Sequence, residues 1–102
     1  MNIELVYDAD CPNIEAARAQ LEAACHQAGV PLRWQEWDRA DESAPDYVRN
    51  YGSPTILVNG EDVAGSNSVD GSSCRLYRKH DGSVSGAPAV MQIVQAITTG
   101  RA

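Results

Sequence analysis

The chain has 102 residues, 43% of them hydrophobic, with a formal net charge of −6 and a pI near 4.6. That size predicts one domain, 1–102, around one core, and the composition excludes a disordered chain. The acidic balance argues against nucleic acid and anionic membrane surfaces as partners, and no apolar run approaches the roughly 20 residues of a membrane span.

The chain opens with no basic stretch ahead of an apolar one, so no secretory signal is read and a cytoplasmic location is expected. Ile3 to Tyr7 alternates β-forming side chains and predicts a strand. Asp8-Ala9-Asp10 predicts a turn. A helix follows over 12–28, with Pro12 in its first turn, Ile14, Ala17, Leu21, Ala24 and Ala28 on one stripe, and Gly29 beyond its end. Pro31 to Trp37 predicts a second strand. Ser43 to Tyr51 predicts a short helix with Ser43 as its cap. Thr55 to Val58 predicts a buried strand, Asn59-Gly60 a tight turn and Glu61 to Val63 the returning strand. Residues 64–73 are rich in Gly, Ser, Asn and Asp and read as a loop. Cys74 to Lys79 predicts a short extra strand turning at Asp81-Gly82. A last helix is predicted from Ala87-Pro88 to Gly100. The order β-α-β-α-β-β-α predicts a three-layer α/β domain with a mixed sheet and helices on both faces.

Three cysteines, at positions 11, 25 and 74, do not read as a disulfide framework. Cys11 falls where the first strand gives way to the first long helix. A helix N-terminus favours an anion and lowers a thiol's pKa, whereas the flanking Asp8 and Asp10 oppose a thiolate. The balance predicts an accessible Cys11, modestly more acidic than the ordinary thiol at about 8.5. The other reading is a small hydrophobe at a helix start, and the position next to Pro12 favours the reactive one. Cys25 borders the apolar stripe and is predicted buried and inert. His26 is predicted on the polar side of the helix and His80 in solvent. No His and Cys spacing matches a structural zinc site. Trp34 and Trp37 are an odd number of residues apart and cannot share one face of a strand, so core packing is expected of at least one.

Pro54 opens a buried strand after Ser53. Arg75, Arg78, Lys79 and His80 are the one basic cluster of an acidic chain. They would lower the pKa of Cys74 and suit an anion such as a glutathione carboxylate. On the residues alone, Cys74 and Leu76 pointing into a core with solvated charges around them is the slightly stronger reading.

The Cys11-Pro12 helix start, the Gly52-Ser53-Pro54-Thr55 segment and the Asn59-Gly60 hairpin resemble the thioredoxin/glutaredoxin superfamily over nearly the whole chain. A closer resemblance is to bacterial thioredoxin-like proteins, some labelled alkylmercury lyase-related, through Cys11-Pro12-Asn13, Gly52 to Thr55 and Cys74-Arg75-Leu76-Tyr77. The resemblance implies a thioredoxin-like fold, Cys11 as attacking cysteine, and a cis Pro54 packed beside it. Ser53, Pro54 and Thr55, with Pro12 and Arg75, would then meet an extended thiol substrate. Dithiol thioredoxins carry their second cysteine three residues after the first. Here that position is Ile14, so no disulfide forms inside the motif, general dithiol reductase activity is not expected, and Cys74 is one candidate for the replacement partner.

Three functions follow as expectations. The first is thiol–disulfide exchange of the glutathione type, Cys11 attacking and Cys74 or a second substrate thiol resolving, with no resident cofactor and a small-molecule or protein thiol as partner. The second is soft-metal capture, of mercury or copper, by Cys11 and Cys74. The third is a scaffold without chemistry that serves protein contacts.

Overall fold

The apolar run Ile3–Tyr7 forms the strand β1, and Thr55–Val58 forms β3, antiparallel to it, with Leu5 opposite Ile56. The computed structural model describes residues 1–64, 68–69, 76–78 and 84–101. β2 (Gln35–Asp38) runs parallel to β1, and β4 (Glu61–Asp62) returns antiparallel to β3. The four-stranded mixed sheet therefore reads β2-β1-β3-β4. The return to β4 turns on Asn59 and Gly60, both at positive φ (53° and 84°), the conformation that favours these two residues in a tight hairpin.

Side chains alternate across the sheet and give it two different faces. Ile3, Leu5, Ile56 and Val58 point to one side, where they meet Ala17, Leu21, Ala24 and Cys25 of α1 (Ile14–Ala28) and Ile93 and Ile97 of α2 (Val90–Arg101). Val6 and Leu57 point to the other, against Ala44 and against Val48 of a 3-10 helix, Asp46–Asn50. Trp34 packs on the first cluster and Trp37 on the second, as their odd spacing requires. The domain is thus a mixed α/β fold with helical structure on both faces of its main sheet.

Glu4 shares the second face and is buried, 1% exposed. Its carboxylate accepts from the Trp37 indole at 2.7 Å, from the Asn2 amide at 3.0 Å and from the Tyr47 hydroxyl. A buried carboxylate needs such donors to replace water. Tyr47 belongs to the 3-10 helix, so this cluster also fastens that helix to the sheet. The carboxylate in turn pushes the Tyr47 phenol up to about 12.

Several boundaries differ from the sequence expectation. α1 begins at Ile14 rather than 12, with Asn13 as its cap residue and Ala17 N–H donating to Asn13 O at 3.0 Å. β2 starts four residues later than Pro31. Ser43 does not cap a helix: its N–H and hydroxyl both bond Asp41 Oδ1, a local turn that competes with helix initiation, and the 3-10 helix starts after Pro45. α2 starts at Val90 and runs through Gly100.

The short extra strand expected over 74–79 is present as β6 (Leu76–Arg78), but its membership of a separate sheet was not legible. β5 (Ser68–Val69), β6 (Leu76–Arg78) and β7 (Val84–Ser85) pair antiparallel in the order β5-β6-β7. β5 falls inside the expected loop, and strands of two or three residues are too short to show a period. The expected turn at Asp81-Gly82 lies outside the described residues.

Candidate functional site

Cys11 sits in the connection from β1 to α1. Its N–H donates to Asp8 O at 2.9 Å, which closes a turn over 8–11. Asp8 N–H in turn donates to Ser53 Oγ at 2.8 Å. Ser53 is buried, 2% exposed, and is joined to Pro54 by a cis peptide bond, as the Gly52-Ser53-Pro54-Thr55 segment predicts. Thr55 is fully buried at the start of β3, and its hydroxyl donates to Gly52 O at 2.8 Å. From the second sheet, the buried Tyr77 donates its hydroxyl to Pro54 O. Three short segments far apart in sequence thus converge: the turn bearing Cys11, the cis-proline segment and β6.

Two features of Cys11 correct the expectation. The residue is buried, 6% exposed, rather than accessible. It also lies ahead of Asn13, outside the helix, so Pro12 is exposed and precedes the first turn instead of opening it. Nearby, Gly86 lies close to the start of α1, where an added Cβ would come within 2.3 Å of Asn13 Cγ. The backbone ahead of α2 therefore lies against the Asn13 side chain, which would have to move aside for any larger residue at position 86.

Cys11 is disulfide-bonded, whereas Cys25 is free and buried in the α1 stripe. Burial pushes the Cys25 thiol up, in keeping with the inert role read for it. His26 is exposed on the polar side of α1. Cys74, Arg75, Lys79 and His80 lie outside the described residues. Among the described residues no three His, Cys, Asp or Glu side chains gather as a metal group would require.

Sequence adjacency did not suggest a cation at the turn that bears Cys11, yet Arg39 pairs with Asp8, the first residue of that turn. It follows β2, its N–H donates to Tyr7 O at 2.8 Å, and its Nη1 bonds Asp8 Oδ1 and Oδ2 at 3.0 and 2.9 Å. The parallel pairing of Tyr7 with Asp38 is what brings Arg39 there. The signal in the sequence was indirect, a basic residue just past a strand that pairs with the strand leading to the cysteine.

A second ion pair braces the outer side of the fold. Arg18 on α1 contacts both oxygens of Glu36 on β2 through Nε and reaches Oε1 through Nη2 at 2.7 Å, and Trp34 Nε1 donates to Glu36 Oε2 at 3.0 Å. Arg18 holds the Glu36 carboxyl below its usual range, with the indole N–H adding to the effect.

Compared with known proteins, the chain matches no family model, no curated protein and no solved structure.

Proposed function

We propose that this is a thioredoxin-like thiol–disulfide exchange protein in which Cys11 is the attacking thiol and Cys74 resolves. The observation that carries the reading is the disulfide bond at Cys11, at the strand-to-helix connection and tied through Asp8 to the cis Ser53–Pro54 segment. The chain has three cysteines and Cys25 is free, so Cys74 is the partner this reading assigns. The sheet order β2-β1-β3-β4, with β1 and β2 parallel and the cis-proline opening β3, is the layout expected of a thioredoxin-like domain.

The exchange balances without a cofactor. In the reduced protein the Cys11 thiolate attacks one sulfur of a substrate disulfide, forms a mixed disulfide and releases the other sulfur as a thiolate. The Cys74 thiolate then attacks Cys11 Sγ and releases the second substrate thiolate. The substrate is reduced by two electrons and the protein is left with a Cys11–Cys74 disulfide. A small thiol such as glutathione reverses the cycle. Cys25 takes no part, because its thiol is buried and raised.

In a cytoplasmic setting a disulfide of this kind is a working state rather than a staple. The test is trapping. Cys74→Ser treated with glutathione disulfide should accumulate a mixed disulfide on Cys11, and Cys11→Ser should accumulate none at that site. Failure of Cys74→Ser to form the adduct sinks the reading.

A further inference from the structure

A thiolate is opposed by a nearby carboxylate, and Asp8 stands three residues ahead of Cys11 in a turn closed by the Cys11 N–H to Asp8 O bond. We infer that Arg39 is a positioning residue of the Cys11 site, holding the Asp8 carboxylate and cancelling its charge at the head of the turn that bears the attacking cysteine. The inference rests on the exchange reading and adds to it the residue that tunes the thiol.

The geometry carries this. One guanidinium nitrogen contacts both Asp8 oxygens, at 2.9 and 3.0 Å. The two side chains are 31% and 28% exposed, so the pair is partly withdrawn from water and less screened than a surface pair. The cation is fixed by its backbone as well, because Arg39 N–H extends the β1–β2 ladder onto Tyr7 O. Asp8 is fixed from the other side by the bond from its N–H to Ser53 Oγ. Arg39 Nε is buried and, among the described residues, has no hydrogen-bond partner. Asp10, the other acid of the turn, is exposed and more strongly screened.

The pairing predicts opposite signs for its two members. The measurement is the rate at which reduced Cys11 reacts with a neutral disulfide, 2,2′-dithiodipyridine, followed across pH. The full-length protein carries Cys25→Ala and Cys74→Ser, so Cys11 alone reports. Arg39→Gln frees the Asp8 charge and should raise the pH midpoint by about one pH unit. The neutral-pH rate should fall by about threefold, because a tenfold loss of thiolate is partly offset by a more nucleophilic sulfur. Asp8→Asn leaves the cation and should lower the midpoint. The double variant should return close to the parent, and Arg39→Lys should stay there. A purely structural role would lower unfolding stability without this reversal of sign.

An unchanged midpoint in Arg39→Gln overturns the inference while leaving the exchange reading intact. If Arg39→Gln does not fold, Asp8→Asn decides by itself: a lowered midpoint supports the inference, and an unchanged or raised one overturns it. If the parent Cys11 forms no adduct at any pH, the exchange reading fails and the inference goes with it.

Discussion

The Trp37 indole N–H donates to Glu4 Oε2 at 2.7 Å inside the second core, so a charged residue of the central strand holds an aromatic one of the neighbouring strand. Tyr47 and Asn2 donate to the same carboxylate. Replacing Glu4 by Leu removes the acceptor of the partly buried Trp37 indole and of the Tyr47 hydroxyl. We expect a loss of about 2–4 kcal/mol, from a lost charged hydrogen bond and the unpaired groups it leaves. Urea unfolding followed by tryptophan fluorescence measures it, and a loss below 1 kcal/mol would show that the cluster does not hold the 3-10 helix.

The same carboxylate sets the Tyr47 phenol. Spectroscopic titration should find one tyrosine ionising near 12, and Glu4→Gln should bring it back toward the ordinary value of about 10. A phenol raised in the folded state contributes stability that is fully present below the unfolded value and lost as pH climbs through the folded one. The stability difference between wild type and Tyr47→Phe should therefore fade only in strong alkali.

Glu36 makes the opposite prediction. Arg18 and Trp34 hold its carboxyl below the usual range, so its contribution is present above the unfolded value of about 4.3 and lost as pH falls below it. Glu36→Gln should cost about 1 kcal/mol at pH 7, a figure kept small because both partners remain partly exposed, and the gap in melting temperature should close below about pH 4. A gap that widens in acid contradicts the pairing.

A Cβ at position 86 would come within 2.3 Å of the Asn13 amide, which must then move. Gly86→Ala should cost about 1–2 kcal/mol by forcing the Asn13 amide aside. Asn13→Ala in the same chain should recover most of the loss, since it removes the group that clashes. Differential scanning calorimetry on the two single variants and the double gives the coupling directly.

Much of the fold is legible in these residues taken alone. Ile3 to Tyr7 and Thr55 to Val58 carry strand patterns strong enough to place both central strands, and Asn59-Gly60 gives the turn between β3 and β4. The α1 stripe and Gly29 place that helix to within two residues. What escapes is set by contacts distant in sequence. Glu4 reads as a solvent-facing residue of an alternating strand until Trp37 and Tyr47 arrive to cover it. Arg39 reaches Asp8 only through the parallel β1–β2 pairing. Cys11 is legible as the candidate thiol, but its burial is a product of the folded chain that no local pattern announces. Of the second sheet, β6 falls within the strand expected over 74–79, whereas β5 and β7 escape because they are two residues long.

The most direct test of the proposed chemistry is peptide mapping of the protein without reductant, after equilibration with glutathione disulfide. We predict a peptide pair linking Cys11 to Cys74, released by dithiothreitol, with Cys25 recovered as a free thiol that iodoacetamide labels only after unfolding. Recovery of Cys11 as a free thiol, or linked to Cys25, would contradict it.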